Sequence, residues 1–269
     1  MVTAPSKGLV VEGLRKRYGD HTAVEDVSFT LAPAASLAIV GESGSGKTTT
    51  VRMLVGLERP DGGTVRLDGR DRSARPRNRA ERLARAREIQ MVFQDPYLSL
   101  DPRVTVSGCL DEVLRLHTAL DATARRARVA ELLDQVGLGA REAAVLPRRL
   151  SGGQRQRVAI ARALAVEPRV LVLDEAVAAL DVSIQAQILD LLATIRREAG
   201  VGYLFVTHDL AVVRHIADAV LVLKTGRVVE SGPTAHVLDA PEHPYTRRLL
   251  ASVPRRGWDP GHGSPARAT

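Results

Sequence analysis

The sequence predicts an α/β fold on a mainly parallel sheet, with antiparallel strands at the N-terminal end and an inserted helical block. Three observations carry that expectation. Apolar strand-like runs alternate with helix-period segments from residue 36 onward, as in βαβ units. Two of those runs, "SLAIV" at Ser36–Val40 and "VLVLDE" at Val170–Glu175, lack the apolar–polar alternation of a half-exposed strand and point to strands buried on both faces. Between them, Val129, Leu132, Leu133 and Val136 sit at i, i+3, i+4 and i+7, a helical stripe that Gly137 ends.

The elements follow in order. "GLVVEGLRKRYGDHTAVEDVSFTLA" alternates apolar and polar residues around turn signals and predicts early antiparallel strands. Ser36–Val40 runs into a glycine loop, and a helix follows from Lys47 to about Leu57, stopped by "ERPDGG". "GTVRLDG" and "EIQMVF" (Glu88 to Phe93) read as strands. Between them lie eight arginines from Arg70 to Arg87, a like-charge block that reads as a solvated surface connection, with contact to lipid phosphates or an acidic partner as the alternative. From about Asp95 to Val166 the period is helical. Ile184 to Arg197 reads as a helix, "GYLFVTHD" as a strand, and "DAVLVLKTGRVVESG" as a hairpin around Thr225 and Gly226. The final sixteen residues, "PRRGWDPGHGSPARAT", have the Pro- and Gly-rich composition of a disordered tail. There is no internal repeat.

Composition narrows the function classes. A chain of 269 residues that is 45% hydrophobic can bury a sizeable core. Its one cysteine, Cys109, excludes an internal disulfide, suits a reducing cytosol and reads as structural. "MVTAPSKGLVVEG" has neither a charged start nor an apolar h-region, so no signal peptide is expected there. No apolar run approaches the roughly 18 residues of a membrane span. The net charge of +7 admits a polyanionic partner. However, lysine occurs only at Lys7, Lys16, Lys47 and Lys224, and aromatics are 3% of residues, poor material for base stacking. Compositional bias accounts for the charge as well as nucleic acid does.

Chemistry concentrates in two segments. Gly41-x-x-x-x-Gly46-Lys47-Thr48 fits the phosphate-binding P-loop in full, between a buried strand and a helix. In such a loop (Gly41, Glu42, Ser43, Gly44, Ser45, Gly46, Lys47, Thr48 and Thr49) backbone N–H groups surround phosphate oxygens, Lys47 supplies charge, and Thr48 offers a hydroxyl to Mg²⁺. At the end of "VLVLDE" two consecutive carboxylates leave the strand in different directions. Asp174 is assigned to the metal, mostly through water, and Glu175 to polarising the attacking water. His208 follows another strand and either holds that water against the γ-phosphate or bonds only locally. Gln94 closes "MVFQDP" at the junction with the helical block, where its amide can reach the metal or the water. Tyr18, in "RKRYGDH", either stacks on a purine or is a partly buried edge tyrosine. "LSGGQ", Leu150–Gln154, is a second small-residue turn opening a helix, an anion site without a lysine.

Taken together, these motifs resemble the ATP-binding subunits of ABC transporters. The match runs in order through Tyr18 (A-loop), Gly41–Thr49 (Walker A), Gln94 (Q-loop), Leu150–Gln154 (signature), Leu171–Glu175 (Walker B), Ala178–Asp181 (D-loop) and His208 (H-loop). The resemblance implies a P-loop NTPase (RecA-like) core with an N-terminal antiparallel β subdomain and an inserted α-helical subdomain. It implies an ATPase domain over 1–232, its helical part about 95–166, and an extension over 233–269. It also implies ATP and Mg²⁺, the metal near Thr48, Gln94 and Asp174. Two such subunits face head to tail, so that Ser151, Gly152, Gly153 and Gln154 meet the γ-phosphate held by the partner, and Asp181 reaches across. "FQDPYLSLDPR" and "APEHPYTRRLLASVP" are similar to segments of the peptide/nickel importer ATPases. That branch implies a homo- or heterodimer at the cytoplasmic face of the membrane, two transmembrane permeases, an extracytoplasmic solute-binding protein acting indirectly, and no nucleic acid. Two departures stand out. Ala178 replaces the usual serine of the D-loop, and no cysteine cluster for an iron–sulfur centre follows "HPYT". A soluble ABC ATPase acting on ribosomes or DNA is the competing class, but its relatives usually carry tandem cassettes, long insertions or zinc cysteines. A P-loop kinase would lack the signature.

Overall fold

Alternating side chains that are apolar on both faces set the centre of the molecule. The computed structural model describes residues 7–95 and 99–252. The expected disordered tail lies outside the described residues. The chain opens with antiparallel strands β1 (Leu9–Tyr18) and β2 (His21–Leu31), followed by the short β3 (Ser36–Val40) and helix α1 (Lys47–Leu54). Strands β4 (Gly62–Leu67) and β5 (Arg70–Asp71), helix α2 (Arg79–Glu88) and strand β6 (Ile89–Val92) come next. A helical run follows: α3 (Val106–His117), α4 (Ala122–Gln135), α5 (Ala140–Ala143) and α6 (Gly152–Leu164). The chain then alternates β7 (Val170–Asp174), α7 (Val182–Ala199), β8 (Gly202–Val206) and α8 (Leu210–Ile216). It closes with the hairpin β9 (Ala219–Lys224) and β10 (Arg227–Pro233), then α9 (Thr234–Asp239) and α10 (Pro244–Ala251).

One mixed sheet joins all these strands in the order β5-β4-β1-β2-β10-β9-β3-β8-β7-β6. Neighbours from β9 to β6 are parallel, and those from β5 to β2 antiparallel. The parallel half is buried on both faces with period two. Leu37 and Ile39 of β3, Val170 and Val172 of β7, and Leu204 and Val206 of β8 join one core, with Val51 and Leu54 of α1 and the inner face of β1, β2 and β4. Their neighbours Ala38, Val40, Leu171, Leu173, Tyr203 and Phe205 join the other, with Leu110, Leu132, Leu133, Val158 and Ile160 of the helices. The expected α/β class and parallel sheet are therefore observed.

Three details differ from the sequence reading. Helix α1 ends at Leu54, before Leu57, because Gly56 (φ 78°) turns left-handed; its N–H bonds Met53 O and that of Leu57 bonds Arg52 O, a Schellman closure. Helix α7 starts at Val182 rather than Ile184 and stops at Gly200, φ 64°. The arginine block is partly helical. Asn78 caps α2 by accepting the Glu81 N–H at 2.9 Å, and Glu81 pairs with Arg85 one turn on at 2.6 Å. The Arg72 side chain, 7% exposed, pairs with Glu88. Charge in this block is thus neutralised locally at several positions.

Leu171 is fully buried in the sheet whereas Leu57 is 63% exposed. Leu171→Ala is expected to lower unfolding free energy by about 2–5 kcal/mol, and Leu57→Ala by no more than about 0.5 kcal/mol. Urea titration of the two variants measures both.

Candidate functional site

The glycine loop turns where β3 meets α1, and two of its glycines are set by neighbouring backbone. A Cβ on Gly41 would stand 2.2 Å from the Leu223 carbonyl oxygen of β9, and one on Gly46 (φ 101°) 2.5 Å from that of Ala23 in β2. Both contacts are with backbone, so no side chain can move aside. The Gly226 N–H bonds Ser45 O at 2.9 Å, tying the loop to the β9–β10 turn. Lys47 is only 8% exposed, and its Nζ donates to the carbonyls of Gly41 (2.7 Å) and Glu42 (2.8 Å). Burial pulls its pKa down, against the charges of Glu175, Asp174 and Glu42. The Ser45 hydroxyl oxygen is buried without a hydrogen-bond partner. A buried ammonium resting on carbonyls at the cleft wall suits an anion that would accept from it.

Strand ends β7 and β8 deliver the acidic and imidazole groups. Burial first, and the neighbouring Glu175 charge second, push the Asp174 carboxyl above the usual carboxylate range, with Arg52 and Lys47 pulling the other way. Glu175 has a left-handed backbone, φ 47°, fixed by its N–H to Val206 O at 2.8 Å and by the Ala178 N–H to its own carbonyl at 3.0 Å. Its Oε1 lies 3.2 Å from Nδ1 of the exposed His208. Below His208, the Asp209 carboxylate accepts the Ala211 N–H at 2.8 Å and caps α8, which fixes where the strand delivers its residues. Tyr18, 44% exposed, has Lys16 Nζ 5.1 Å from its ring centroid; Lys16 also pairs with Glu58 at 2.9 Å.

A cleft of about 380 Å³ gathers Tyr18, Ser43, Gly44, Gly46, Lys47, Thr48, Thr49, Glu175 and His208. It also takes in His21 and Ala23, which the sequence reading did not single out. The register Tyr18↔His21 across the first hairpin is the signal for His21. Gly41, Glu42 and Ser45 of the same loop do not line it. Gln94 is exposed just past the end of β6, and neither it nor Asp174 lines the cleft. A larger cavity of about 700 Å³ opens among α3, α4 and α5, but no strand end or glycine-loop residue reaches it.

The signature residues lie outside that cleft. Ser151 caps α6: its Oγ accepts the Gln154 N–H at 3.2 Å while Gln154 Oε1 accepts the Ser151 N–H at 2.9 Å. Gly152 sits beside Leu180, and a Cβ on Gly153 would meet Ile184 Cγ2 at 2.6 Å. The second glycine therefore has a packing reason at the α6–α7 contact, independent of any ligand. Asp181 precedes α7 without a side-chain cap bond, exposed beside Val182, itself 84% exposed.

Two predictions follow from this geometry. Gly153→Ala is expected to destabilise the chain by about 1–3 kcal/mol, and Ile184→Ala to offset part of that loss in the double variant. Denaturant unfolding of the four proteins in the cycle reads the coupling. Asp174 has a raised folded pKa, so its favourable contribution is full below the ordinary carboxylate range and is lost as pH rises through the raised value. The nucleotide-free Asp174→Asn protein should accordingly melt above wild type at pH 7, the gap shrinking on acidification; calorimetry across pH checks it.

Comparison with known proteins places this architecture. Residues 24–178 match the ABC transporter family, and residues 229–265 match the oligopeptide/dipeptide transporter C-terminal region. The chain is 50% identical over 232 residues to the glutathione import ATP-binding protein GsiA of Escherichia coli K12 and to that of Shigella sonnei. That alignment covers 86% of this chain and 37% of each relative, so the chain spans little more than a third of their length. Among solved structures, dimeric MJ0796, a bacterial ABC transporter cassette, is 31% identical with TM-score 0.75, covering 84% of this chain and 98% of that one. The cbiO1 protein of Clostridium perfringens, part of the cbiONQ complex, is 30% identical with TM-score 0.79, covering 93% and 97%. The chain belongs to the ABC transporter ATP-binding family and carries the C-terminal region of its oligopeptide/dipeptide branch.

Proposed function

We propose that this chain is the ATP-hydrolysing subunit of a binding-protein-dependent importer for peptides, nickel or a related small solute. The observation that carries it is the single cleft in which the glycine loop, Lys47, Glu175 and His208 converge. We divide the chain into an ATPase domain over 1–232, with its helical part about 95–166, and an extension over 233–269. On binding ATP, Lys47 exchanges the carbonyls of Gly41 and Glu42 for the β- and γ-phosphates, and the loop N–H groups hold the remaining oxygens. The Tyr18 ring, backed by Lys16, offers its face to the purine. Glu175 takes a proton from the attacking water, and His208, hydrogen-bonded to Glu175, holds that water in line.

Of the three expected metal residues only Thr48 lines the cleft; it would hold Mg²⁺, which prefers oxygen donors and would neutralise charge on the transferred phosphoryl group, with Asp174 and Gln94 acting through water. Ser151, Gly153, Gln154 and Asp181 serve the site of a second ATPase subunit, since none of them lines the cleft of its own chain. No helix among the described residues is long and apolar enough to cross a membrane. We assign the membrane path to two transmembrane permeases, with this subunit on their cytoplasmic side, as the importer reading requires. The glutathione import for which GsiA is named, and the oligopeptide-type C-terminal region, favour a peptide-like solute.

Glu175→Gln should keep ATP binding and lower turnover on the order of 10²–10⁴-fold, trapping a closed dimer. Steady-state hydrolysis at the wild-type rate would remove Glu175 from the base role. Lys47→Ala should lose nucleotide affinity, read by titration with a fluorescent ATP analogue. Ala178→Ser should change the Hill coefficient more than the affinity. Purified with its permeases, the complex should show ATPase activity stimulated by members of a panel of peptides and metal chelates; stimulation by nucleic acid instead would replace the importer reading.

A further inference from the structure

The Gly41–Glu42 peptide unit is held at both ends. Its carbonyl accepts Lys47 Nζ at 2.7 Å, and its N–H donates to the Tyr245 hydroxyl oxygen at 3.0 Å, 203 positions away in sequence. Tyr245 is 3% exposed and lies in the "HPYT" segment of the C-terminal region, outside the nucleotide-site motifs assigned above. Its position is built by several contacts. Glu230 of β10 accepts the N–H groups of Glu242 (2.8 Å) and His243 (3.1 Å), which fixes the approach to α10. His243 Nδ1 accepts the Tyr245 N–H at 3.1 Å and caps the helix, with Pro244 in its first turn. Lys224, at the end of β9, places Nζ 5.1 Å from the Tyr245 ring centroid. The preceding residue, Leu223, is the one whose carbonyl confines Gly41.

A bound triphosphate changes this balance. On the ATP-site reading, Lys47 would leave the Gly41 carbonyl for phosphate, and Tyr245 would become the remaining side-chain hold on that peptide unit. We propose that Tyr245 is a positioning residue for the nucleotide loop, through which the C-terminal region sets the affinity of the cleft for ATP. The proposal rests on the ATP-site reading given above. It differs from a structural role in one respect. In the empty protein, loss of the hydroxyl leaves the peptide unit tethered by Lys47. In the bound protein, the same loss leaves it without either tether. The effect therefore falls on nucleotide binding more than on the stability of the empty chain.

The test is Tyr245→Phe in the full 269-residue chain, which keeps the ring, its packing and the Lys224 contact. We expect the Kd for a non-hydrolysable MgATP analogue and the KM for MgATP to rise about tenfold, the effect of one lost hydrogen bond. We expect kcat to change less than about twofold, because neither Glu175 nor His208 moves, and the melting temperature to fall less without nucleotide than with the analogue bound. Hydrogen exchange on wild-type protein needs no variant: the Glu42 amide should stay protected when the analogue is bound. Unchanged affinity in Tyr245→Phe overturns the proposal, as does a lower melting temperature with Kd and KM unaltered, or a Glu42 amide that exchanges freely in the bound wild type. Wild-type protein that binds no nucleotide overturns the ATP-site reading and this proposal with it.

Discussion

Strand β3 has no solvent-facing side, and the cleft depends on that constraint. Leu37 and Ile39 pack toward α1 while Ala38 and Val40 pack toward the helical block, with β9 on one edge and β8 on the other. A strand enclosed in this way can change direction only at its end. There the chain passes close over β9, and Gly41 meets the Leu223 carbonyl with no room for a side chain. The same parallel registry ends β7 and β8 at the same level, so Asp174 pairs with Val206 just before His208. The ligand-facing groups converge because the strands beneath them are equally buried and equally short, as at the carboxyl ends of other open α/β sheets.

Without ligand, this arrangement is electrostatically unsatisfied. Burial lowers the Lys47 pKa and raises that of Asp174, each against the form that the proposed chemistry uses. The Ser45 hydroxyl lacks a partner, and Glu175 adopts a left-handed backbone of the kind that costs about 1–3 kcal/mol. These terms act together at one end of the sheet. Triphosphate would give Lys47 an acceptor, and a divalent cation would stabilise the ionised Asp174. The free energy that the empty fold forgoes is returned on binding, which makes nucleotide a strong stabiliser of the closed loop.

The parts of this molecule that were legible in the sequence are those with a local pattern. Period-two burial and the glycine spacing identify β3, β7 and the loop from a few residues each. Helix α2 was hidden because it buries nothing, so its arginines obscure any apolar stripe, and its order comes from Asn78, Glu81 and ion pairs. The Tyr245 contact was hidden for a different reason. It joins residues 203 positions apart, and no pattern within "HPYT" says where the phenol ends. Gly153 is a third case. A glycine required by Ile184 and a glycine required by phosphate look the same in one sequence, and only the α6–α7 distance separates them.

The capping box at Ser151 bears on why a turn without a lysine suits an anion. Two internal hydrogen bonds consume the Ser151 N–H, the Gln154 N–H, one lone pair of the serine oxygen and the Gln154 Oε1. They leave the serine O–H and the Gln154 amide NH₂ as donors, on the side chains at the opening of α6. The helix dipole adds positive potential at the same end. Tight packing of Gly153 against Ile184 keeps α6 from retreating, so these donors stay where the first turn places them. A site of neutral donors attracts anions weakly from a distance and holds them by geometry at contact. Lys47 in the other loop has the opposite character, with a full charge and a side chain free to leave its two carbonyls. A phosphate held between the two would be captured by the lysine first and recognised by the serine turn second, which gives dimer closure a natural order.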